Sequence, residues 1–218
     1  MAILSLDDLY LTRAERAALA RDIHPLLATR GPPGTHDVAL GAELLTRLKA
    51  GEDVVLPLFD KIADDRAPPA AWRPIAGPAD VVLFEGWCVG AAPQPPAMLA
   101  APINALERER DAGGVWRAYV NQALARDYPA LFAPIDRLVM LRAPGFEVVA
   151  RWRLEQETDN LALAGAGRPM NDVEVAAFTQ YYERLTRWML DEVPARADLT
   201  LDLDDARLIR GVRESPGP

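Results

Sequence analysis

Short apolar runs lead directly into carboxylates at two places in the chain. Residues Ala2 to Leu6 are mainly apolar and are followed by Asp7 and Asp8, and the run from Val81 to Phe84 is followed by Glu85. Continuous apolar runs of this length are typical of parallel strands that are buried on both faces. The same pattern predicts further short strands at Val54–Leu56, Leu138–Leu141 and Leu199–Leu203.

Helical segments separate these strands. Thr12 and Glu15 have the spacing of a capping box that opens a helix through Ala20, and Asp37 is placed to cap a second helix that stops at Gly51. Strands that alternate with helices indicate an α/β fold, a doubly wound parallel sheet that binds ligands at the carboxyl ends of its strands. The remaining stretches are predicted to be irregular at 59–78 and helical at 103–125, 147–161 and 173–190.

Composition narrows the function classes. The 218 residues are 50% hydrophobic, which is enough for the core of a single domain, and no linker divides them. With 24 basic and 32 acidic residues the net charge is −8, so nucleic acid is not expected as a partner. Cys88 is the single cysteine and no apolar run is long enough to span a membrane, which favours a cytoplasmic protein. The oligomeric state stays open.

Carboxylates follow three of the predicted strands: the pair Asp7 and Asp8, then Asp60, then Glu85. Because the carboxyl ends of parallel strands lie at one edge of a sheet, these groups are expected to surround one cleft. Each of them alone fits a helix cap or a solvated turn equally well. The three positions together favour a functional cleft more strongly than any one of them does alone.

Two arginines lie in the segment VVARWRLEQE, at Arg151 and Arg153. Arginine suits the recognition of phosphate oxygens, and a mobile segment that carries it can cover a phosphoryl group during transfer. The alternative is a solvated helix face on which Glu155 and Glu157 neutralise the arginines. Periodicity does not separate the two interpretations.

The order of several motifs resembles that of the D-glycerate 3-kinase group, uridine-kinase-like members of the P-loop kinase superfamily. The motifs are SLDDLYLT, RGPPGTHD, LPLFDK, VVLFEGWCVG, PINALE, WRAYVNQAL and LRAPGFEVVARWRLEQE. The resemblance implies ATP- and Mg²⁺-dependent phosphorylation of a hydroxyl on a small acceptor, D-glycerate by preference. A uridine, nucleoside or other polyol acceptor is the alternative within the superfamily.

The resemblance also assigns roles in acceptor binding. It implies that Asp7 accepts the proton of the substrate hydroxyl, and that Asp8 and Tyr10 shape the acceptor site beside it. His36 and Asp37, in the GTHD loop, are implied to bind the hydroxyls or the carboxylate of a small polyol acid.

Further acceptor residues match the FDK…DR element, which contains Asp60, Lys61 and Arg66. Lys61 and Arg66 are implied to neutralise an anionic acceptor, which favours glycerate over a nucleoside. The stretch between FDK and DR is shorter than the family's pattern.

Other motifs belong to the phosphate-donor half. Glu85 is implied to hold Mg²⁺ through water, since one carboxylate with waters and phosphate oxygens satisfies this ion. Arg151 and Arg153 fall where the family carries its lid, about residues 145–172.

The phosphate-binding loop GxxxxGK(S/T) that such kinases require is not in this sequence. Lys49 falls within a predicted helix and Lys61 within the FDK element, so neither suits the loop lysine. We therefore expect a kinase-like domain, residues 1–218, that is incomplete at its N-terminus and lacks the first, central strand of its sheet. The alternative of another class is a non-catalytic fragment that acts at most as a binding module.

Overall fold

The computed structural model describes the backbone of residues 1–164 and 170–215, and their side chains except those of 150 and 157–164. The chain divides into two compact units. The first contains Met1–Ala101 and Asp111–Asp136, and the second contains Pro102–Arg110 and Arg137–Pro218. Each unit is described by itself below.

Strands and helices alternate along most of the chain. The strands are β1 (Ala2–Ser5), β2 (Val54–Leu56), β3 (Phe59–Asp60), β4 (Asp65–Arg66), β5 (Arg73–Ile75), β6 (Val82–Glu85), β7 (Val139–Arg142), β8 (Leu199–Leu203) and β9 (Ile209–Glu214). The α-helices are α1 (Arg13–Asp22), α2 (Val38–Lys49), α3 (Ala105–Arg110), α4 (Val115–Arg126), α5 (Tyr128–Phe132), α6 (Glu147–Ala164) and α7 (Asp172–Glu192). Short 3₁₀ helices span Leu6–Leu9, Pro25–Ala28, Pro69–Ala71, Pro96–Leu99 and Val193–Ala195.

The first unit is organised around the parallel pair of β1 and β6. Ser5 lies opposite Glu85 at the carboxyl ends of the two strands, so residues that follow either strand begin at the same edge. Strand β2 was predicted for the parallel sheet, but it pairs antiparallel with β5. Strands β3 and β4 form a second antiparallel hairpin. Residues 59–78, predicted to be irregular, therefore contain three short strands.

Local sequence signals explain where the first helices begin. Thr12 and Glu15 exchange both hydrogen bonds of the predicted capping box at the start of α1. Asp37 caps α2, because its Oδ1 accepts a hydrogen bond from the amide of Leu40 at 3.1 Å. Beyond α2, Gly51 has a φ of +77°, a left-handed conformation that glycine adopts without strain.

Aliphatic side chains form the core of the first unit. Burying one leucine completely stabilises the fold by about 1.5–3 kcal/mol. Leucines with 1% exposure or less come from β1, the 3₁₀ helices Leu6–Leu9 and Pro25–Ala28, β2 and α5, at Leu4, Leu6, Leu9, Leu26, Leu27, Leu56 and Leu131. Cys88 is also fully buried, as a small apolar side chain.

The second unit has a three-stranded sheet flanked by helices. β7 and β8 are parallel, and β9, which the sequence did not predict, lies antiparallel to β8. α3 and α7 are joined by a buried ion pair between Glu107 and Arg184, 2.6 Å from Oε2 to Nη2. None of the helices in the described parts of the chain combines the length and apolar composition needed to cross a bilayer.

The parallel pairs confirm the α/β class. Within the described residues β6 is paired only with β1, and β7 only with β8. Leu83 on β6 and Leu141 on β7 are 48% and 65% exposed. The expected further central strand stays a prediction.

Candidate active site

Asp7 is held at the carboxyl end of β1 by two side-chain donors. The Ser5 hydroxyl accepts a hydrogen bond from the Asp7 amide at 3.3 Å and so opens the 3₁₀ turn that carries this residue. Tyr10 Oη donates to Asp7 Oδ1 at 2.6 Å, and Lys61 Nζ donates to Oδ2 at 2.9 Å. The carboxylate is therefore fixed in orientation, and each oxygen retains a lone pair for another donor.

These contacts decide the charge of Asp7. Partial burial raises the pKa of the carboxyl, but the hydrogen bonds from Tyr10 and Lys61 and the positive charge of Lys61 act in the opposite direction, and the net shift is downward. The side chain is 38% exposed, so a ligand reaches it from solvent. Asp7 is a charged hydrogen-bond acceptor at neutral pH.

His36 is buried beside Asp7. A two-residue antiparallel bridge joins it to Tyr10, and the two rings stack with centroids 4.9 Å apart. Its Nδ1 is hydrogen-bonded to the hydroxyl of Tyr128. Burial lowers the pKa of His36 to about 3, against an opposing effect of the Asp7 charge. The imidazole is therefore neutral at physiological pH.

Asp37 and Arg66 connect the loop before α2 to the β3–β4 hairpin. One Asp37 oxygen caps the helix, and Oδ2 accepts a hydrogen bond from Arg66 Nη2 at 3.1 Å. The same Nη2 donates to the backbone carbonyl of Tyr10 at 3.0 Å. Arg66 Nε is buried and has no hydrogen-bond partner among the residues described. The arginine thus ties three segments of the site together.

Two arginines hold the turn of the β3–β4 hairpin, which carries Lys61, through contacts with Asp64. Arg16 is 1% exposed and donates to the carbonyls of Ala28 and Asp64 at 2.8 Å and 2.6 Å. It also pairs with the Asp64 carboxylate at 3.0 Å, and Arg30 binds that same carboxylate. Sequence reasoning did not select either arginine, because an arginine in an amphipathic helix or a turn is normally a surface residue.

Asp8 and Asp60 have local roles in the backbone. Asp8 Oδ1 accepts the amide of Phe59 at 3.1 Å, and Asp60 Oδ1 accepts the amides of Ile62 and Ala63, both at 2.9 Å. Asp60 was expected at the end of a parallel strand, but it lies in the hairpin strand β3. Its position comes from the hairpin turn and not from the sheet edge, and the substrate role of both residues stays a prediction.

Glu85 ends β6 at the same edge as Asp7. It is exposed, and its side chain makes no ion pair or hydrogen bond with the described part of the chain. No group of three or more His, Cys, Asp or Glu side chains able to hold a metal occurs among the residues described. A single free carboxylate is compatible with Mg²⁺ held mainly by water and phosphate oxygens.

Arg151 and Arg153 belong to the second unit, on α6. Arg151 pairs with Asp205 at 3.0 Å, while Arg153 donates to Gln156 at 2.7 Å and lies over the ring of Phe178. Their lid function stays a prediction. Within the expected lid at 145–172, residues 165–169 lie outside those that the structure describes.

Tyr128 is the site residue that sequence reasoning missed most clearly. It is fully buried at the start of α5, and 92 residues separate it from His36, which its hydroxyl contacts. A tyrosine at the start of a short helix predicts nothing about such a contact. The six predicted residues of the first unit that the fold does bring together are Asp7, Tyr10, His36, Asp37, Lys61 and Arg66.

Comparison with solved structures defines the class of protein. The structure of D-glycerate 3-kinase from Cryptococcus neoformans var. grubii superposes with a TM-score of 0.81 at 29% identity, covering 98% of this chain and 79% of that one. The fold is therefore the α/β fold of a small-molecule kinase.

Sequence relatives agree. The chain is 37% identical over 188 residues to an uncharacterized kinase, mug58, of Schizosaccharomyces pombe, covering 82% of this chain and 66% of the relative. It is 34% identical over 225 residues to the chloroplastic D-glycerate 3-kinase of Arabidopsis thaliana, covering 94% of this chain and 46% of the relative. No family model matches the chain. The chain belongs to the D-glycerate 3-kinase-like family and spans between about half and two thirds of these two relatives.

Proposed function

We propose that this chain provides the acceptor site of an ATP- and Mg²⁺-dependent kinase that phosphorylates a hydroxyl of D-glycerate. The names of two relatives support both the activity and the acceptor. The observation that carries the proposal is the arrangement around Asp7, a charged carboxylate at a strand edge with a cation bound to one oxygen. Such a group orients a hydroxyl for attack on a phosphoryl group.

The low pKa of Asp7 is compatible with this role. Phosphoryl transfer proceeds in most analyses through a loose transition state, in which the attacking hydroxyl keeps much of its proton until late. A weak base that is always ionised is then sufficient, because it orients the hydroxyl through a hydrogen bond and takes up the proton as the new bond forms. Asp7 has the free lone pairs for that hydrogen bond.

Lys61 supports an acidic acceptor. Its side chain is 62% exposed, and only one of its three N–H donors is bonded to a side chain in the described chain, that of Asp7. The other donors are available to the carboxylate of glycerate. A neutral nucleoside has no group that uses them as well.

The phosphate-donor side of the mechanism uses fewer residues of this chain. Glu85 would hold Mg²⁺, which neutralises phosphate charge during transfer. The family resemblance supports a role for Arg151 and Arg153 in stabilising the charge of the transferring phosphoryl group. Because GxxxxGK(S/T) does not occur in these 218 residues, a non-catalytic binding module is the second candidate.

Calorimetry on the purified chain separates the candidates. D-Glycerate, glycerol and uridine are titrated first. Glycerol has the carbon skeleton of glycerate without the carboxylate, so binding of D-glycerate with much weaker binding of glycerol is expected. Tighter binding of uridine than of glycerate would overturn the acceptor assignment.

Titration with ATP·Mg²⁺ and a coupled assay of ADP release then test catalysis. D-Glycerate-dependent ADP release supports the kinase. Glycerate binding without ATP binding supports the module instead, and an in-frame GxxxxGK(S/T) upstream of the Met1 codon would restore the kinase.

Lys61→Met tests how the carboxylate is recognised, with Lys49→Met as the matched control. Lys49 is the other of the two lysines in the chain and pairs with Asp136 at 2.7 Å. Lys61→Met is expected to weaken D-glycerate binding about 10-fold or more, the effect of losing one charged hydrogen bond, and to weaken glycerol binding less. An equal loss for both ligands would contradict direct contact with the carboxylate.

A further inference from the structure

The buried hydroxyl of Tyr128 has two hydrogen-bond partners, and their chemistry determines which of them accepts the hydroxyl proton. The amide N–H of Gly34 donates to Tyr128 Oη at 3.0 Å, and His36 Nδ1 is the other hydrogen-bond partner of that oxygen. A phenol has one proton to donate and lone pairs to accept with. Since a backbone N–H can only donate, the Tyr128 proton has a single acceptor among the described residues, His36 Nδ1.

Because His36 Nδ1 is the one acceptor for the Tyr128 proton among the described residues, we propose that Tyr128 is a positioning residue. It holds His36 in the neutral form that carries its proton on Nε2. In the opposite tautomer, Nδ1–H of His36 would donate to Tyr128 Oη, which already accepts a hydrogen bond from the Gly34 amide. The Tyr128 proton would then be buried without an acceptor, which is the costly outcome for a polar group.

The surroundings of both groups agree with this assignment. Burial raises the pKa of Tyr128, so its hydroxyl keeps the proton that it donates. Burial also keeps His36 neutral, although the Asp7 carboxylate favours the charged form. Tyr10 stacks on the ring, and Tyr128 meets it edge-on. The imidazole is thus enclosed on two sides and bonded through Nδ1.

Nε2–H is the donor that remains for a ligand. It makes no hydrogen bond with the described residues, and the His36 residue is 5% exposed. The ring lies against Tyr10, whose hydroxyl binds Asp7. His36 therefore offers one uncharged N–H beside the catalytic carboxylate.

Its ligand is an oxygen that accepts a hydrogen bond, a second hydroxyl or a carboxylate oxygen of the acceptor. This part of the inference rests on the proposed function. A neutral donor selects the orientation of the acceptor without adding charge, whereas Lys61 supplies the charge. Tyr128 acts through His36 and does not touch the acceptor.

Nitrogen-15 NMR of the histidine side chains tests the tautomer directly. The chain has two histidines, and the variant His36→Gln assigns the signals by removing one set. His36 is expected to show a protonated Nε2 and an unprotonated Nδ1 across the neutral pH range. A protonated Nδ1, or an imidazolium at pH 7, would overturn the proposal without reference to any ligand.

Tyr128→Phe removes the hydroxyl and is compared with Tyr119→Phe. Tyr119 packs near the Gly34 turn, and its hydroxyl makes no hydrogen bond to the described residues, so it controls for loss of an oxygen. Tyr128→Phe is expected to shift His36 toward the Nδ1–H tautomer and to weaken D-glycerate binding roughly 3- to 10-fold, the effect of one misdirected neutral hydrogen bond. The Tyr119 variant is expected to change neither.

A double-mutant cycle of His36→Gln and Tyr128→Phe tests whether Tyr128 acts through His36. Glutamine places an amide N–H near the position of Nε2 but has no atom equivalent to Nδ1. The variant is expected to retain part of the glycerate affinity, and adding Tyr128→Phe to it is expected to cost nothing further. A full additional loss in the double variant would show that Tyr128 acts independently of His36. If the tautomer is as proposed but glycerate does not bind, the proposed function fails and the proton assignment stands.

Discussion

The hydrogen bond from Tyr10 to Asp7 gives the sharpest prediction of site electrostatics. At 2.6 Å it is the shorter of the two side-chain contacts to this carboxylate, and it is the largest of the effects that lower the pKa of Asp7. Tyr10→Phe removes the donor and keeps the aromatic contacts with His36 and Phe59. Burial, which raises the pKa, is then opposed mainly by Lys61.

The size of the effect follows from the bond and its exposure. A hydrogen bond to a charged group stabilises by about 1.5–3 kcal/mol, and one pKa unit corresponds to about 1.4 kcal/mol. Because 38% of the Asp7 side chain is exposed, water replaces part of the lost bond and the low end applies. We therefore expect Tyr10→Phe to destabilise the ionised carboxylate by about 1.5 kcal/mol and so to raise the pKa of Asp7.

Two measurements check this expectation. Carbon-13 NMR of aspartate carboxyl groups follows the titration directly, and the acid limb of kcat/KM, if the ionised carboxylate is required, moves to higher pH by the same amount. Stability changes in the same sense. A carboxyl with a lowered pKa stabilises the fold above its unfolded value and loses this contribution as pH falls through the folded value.

Tyr10→Phe is therefore expected to lose stability relative to the parent chain at neutral pH and to differ less from it in acid. Tyr119→Phe serves as the control. An unchanged Asp7 titration in Tyr10→Phe would show that the Tyr10 hydroxyl does not lower the pKa of Asp7.

Three other variants or reactions are predicted from burial and pairing. Arg16→Leu should lower the free energy of unfolding by about 3 kcal/mol or more in urea titrations, since buried carbonyl oxygens lose their donor. Arg21→Leu, at an exposed position, should leave the free energy of unfolding nearly unchanged. Equal effects would contradict the anchoring role of Arg16. Cys88, buried and with its pKa raised by burial, should react with a thiol reagent only after denaturation, and fast labelling of the native chain would disprove its burial. Glu85→Gln should leave the melting temperature unchanged, because the carboxylate has no partner in the described chain, while raising the Mg²⁺ concentration needed for half-maximal ADP release; no change in that concentration would remove Glu85 from the metal site.

Features that are set within a few residues could be predicted from the sequence. The capping box of Thr12 and Glu15 and the cap at Asp37 were predicted correctly, because each bond closes a single turn. The strands β1, β6 and β8 were also predicted, since short continuous apolar runs are typical of buried strands.

Features that depend on pairing were not predictable in the same way. β2 has the apolar pattern of a core strand, yet it forms an antiparallel pair with a segment that contains Pro74. The pattern of a strand states which faces are buried, but not which neighbour accepts its hydrogen bonds. β9 alternates polar and apolar residues and is mostly exposed, so its apolar signal is weak.

The family resemblance, the parallel strands and most residues of the proposed acceptor site were predictable from the sequence, because motifs and caps are local and residue types limit the available chemistry. Tertiary structure decided which of these residues meet and which protonation states they have. Lys61 reaches Asp7 across 54 residues, and Tyr128 reaches His36 across 92. Protonation depends on burial and on partners far away in the chain, so a histidine in a polar loop becomes a neutral donor only after the fold has enclosed it.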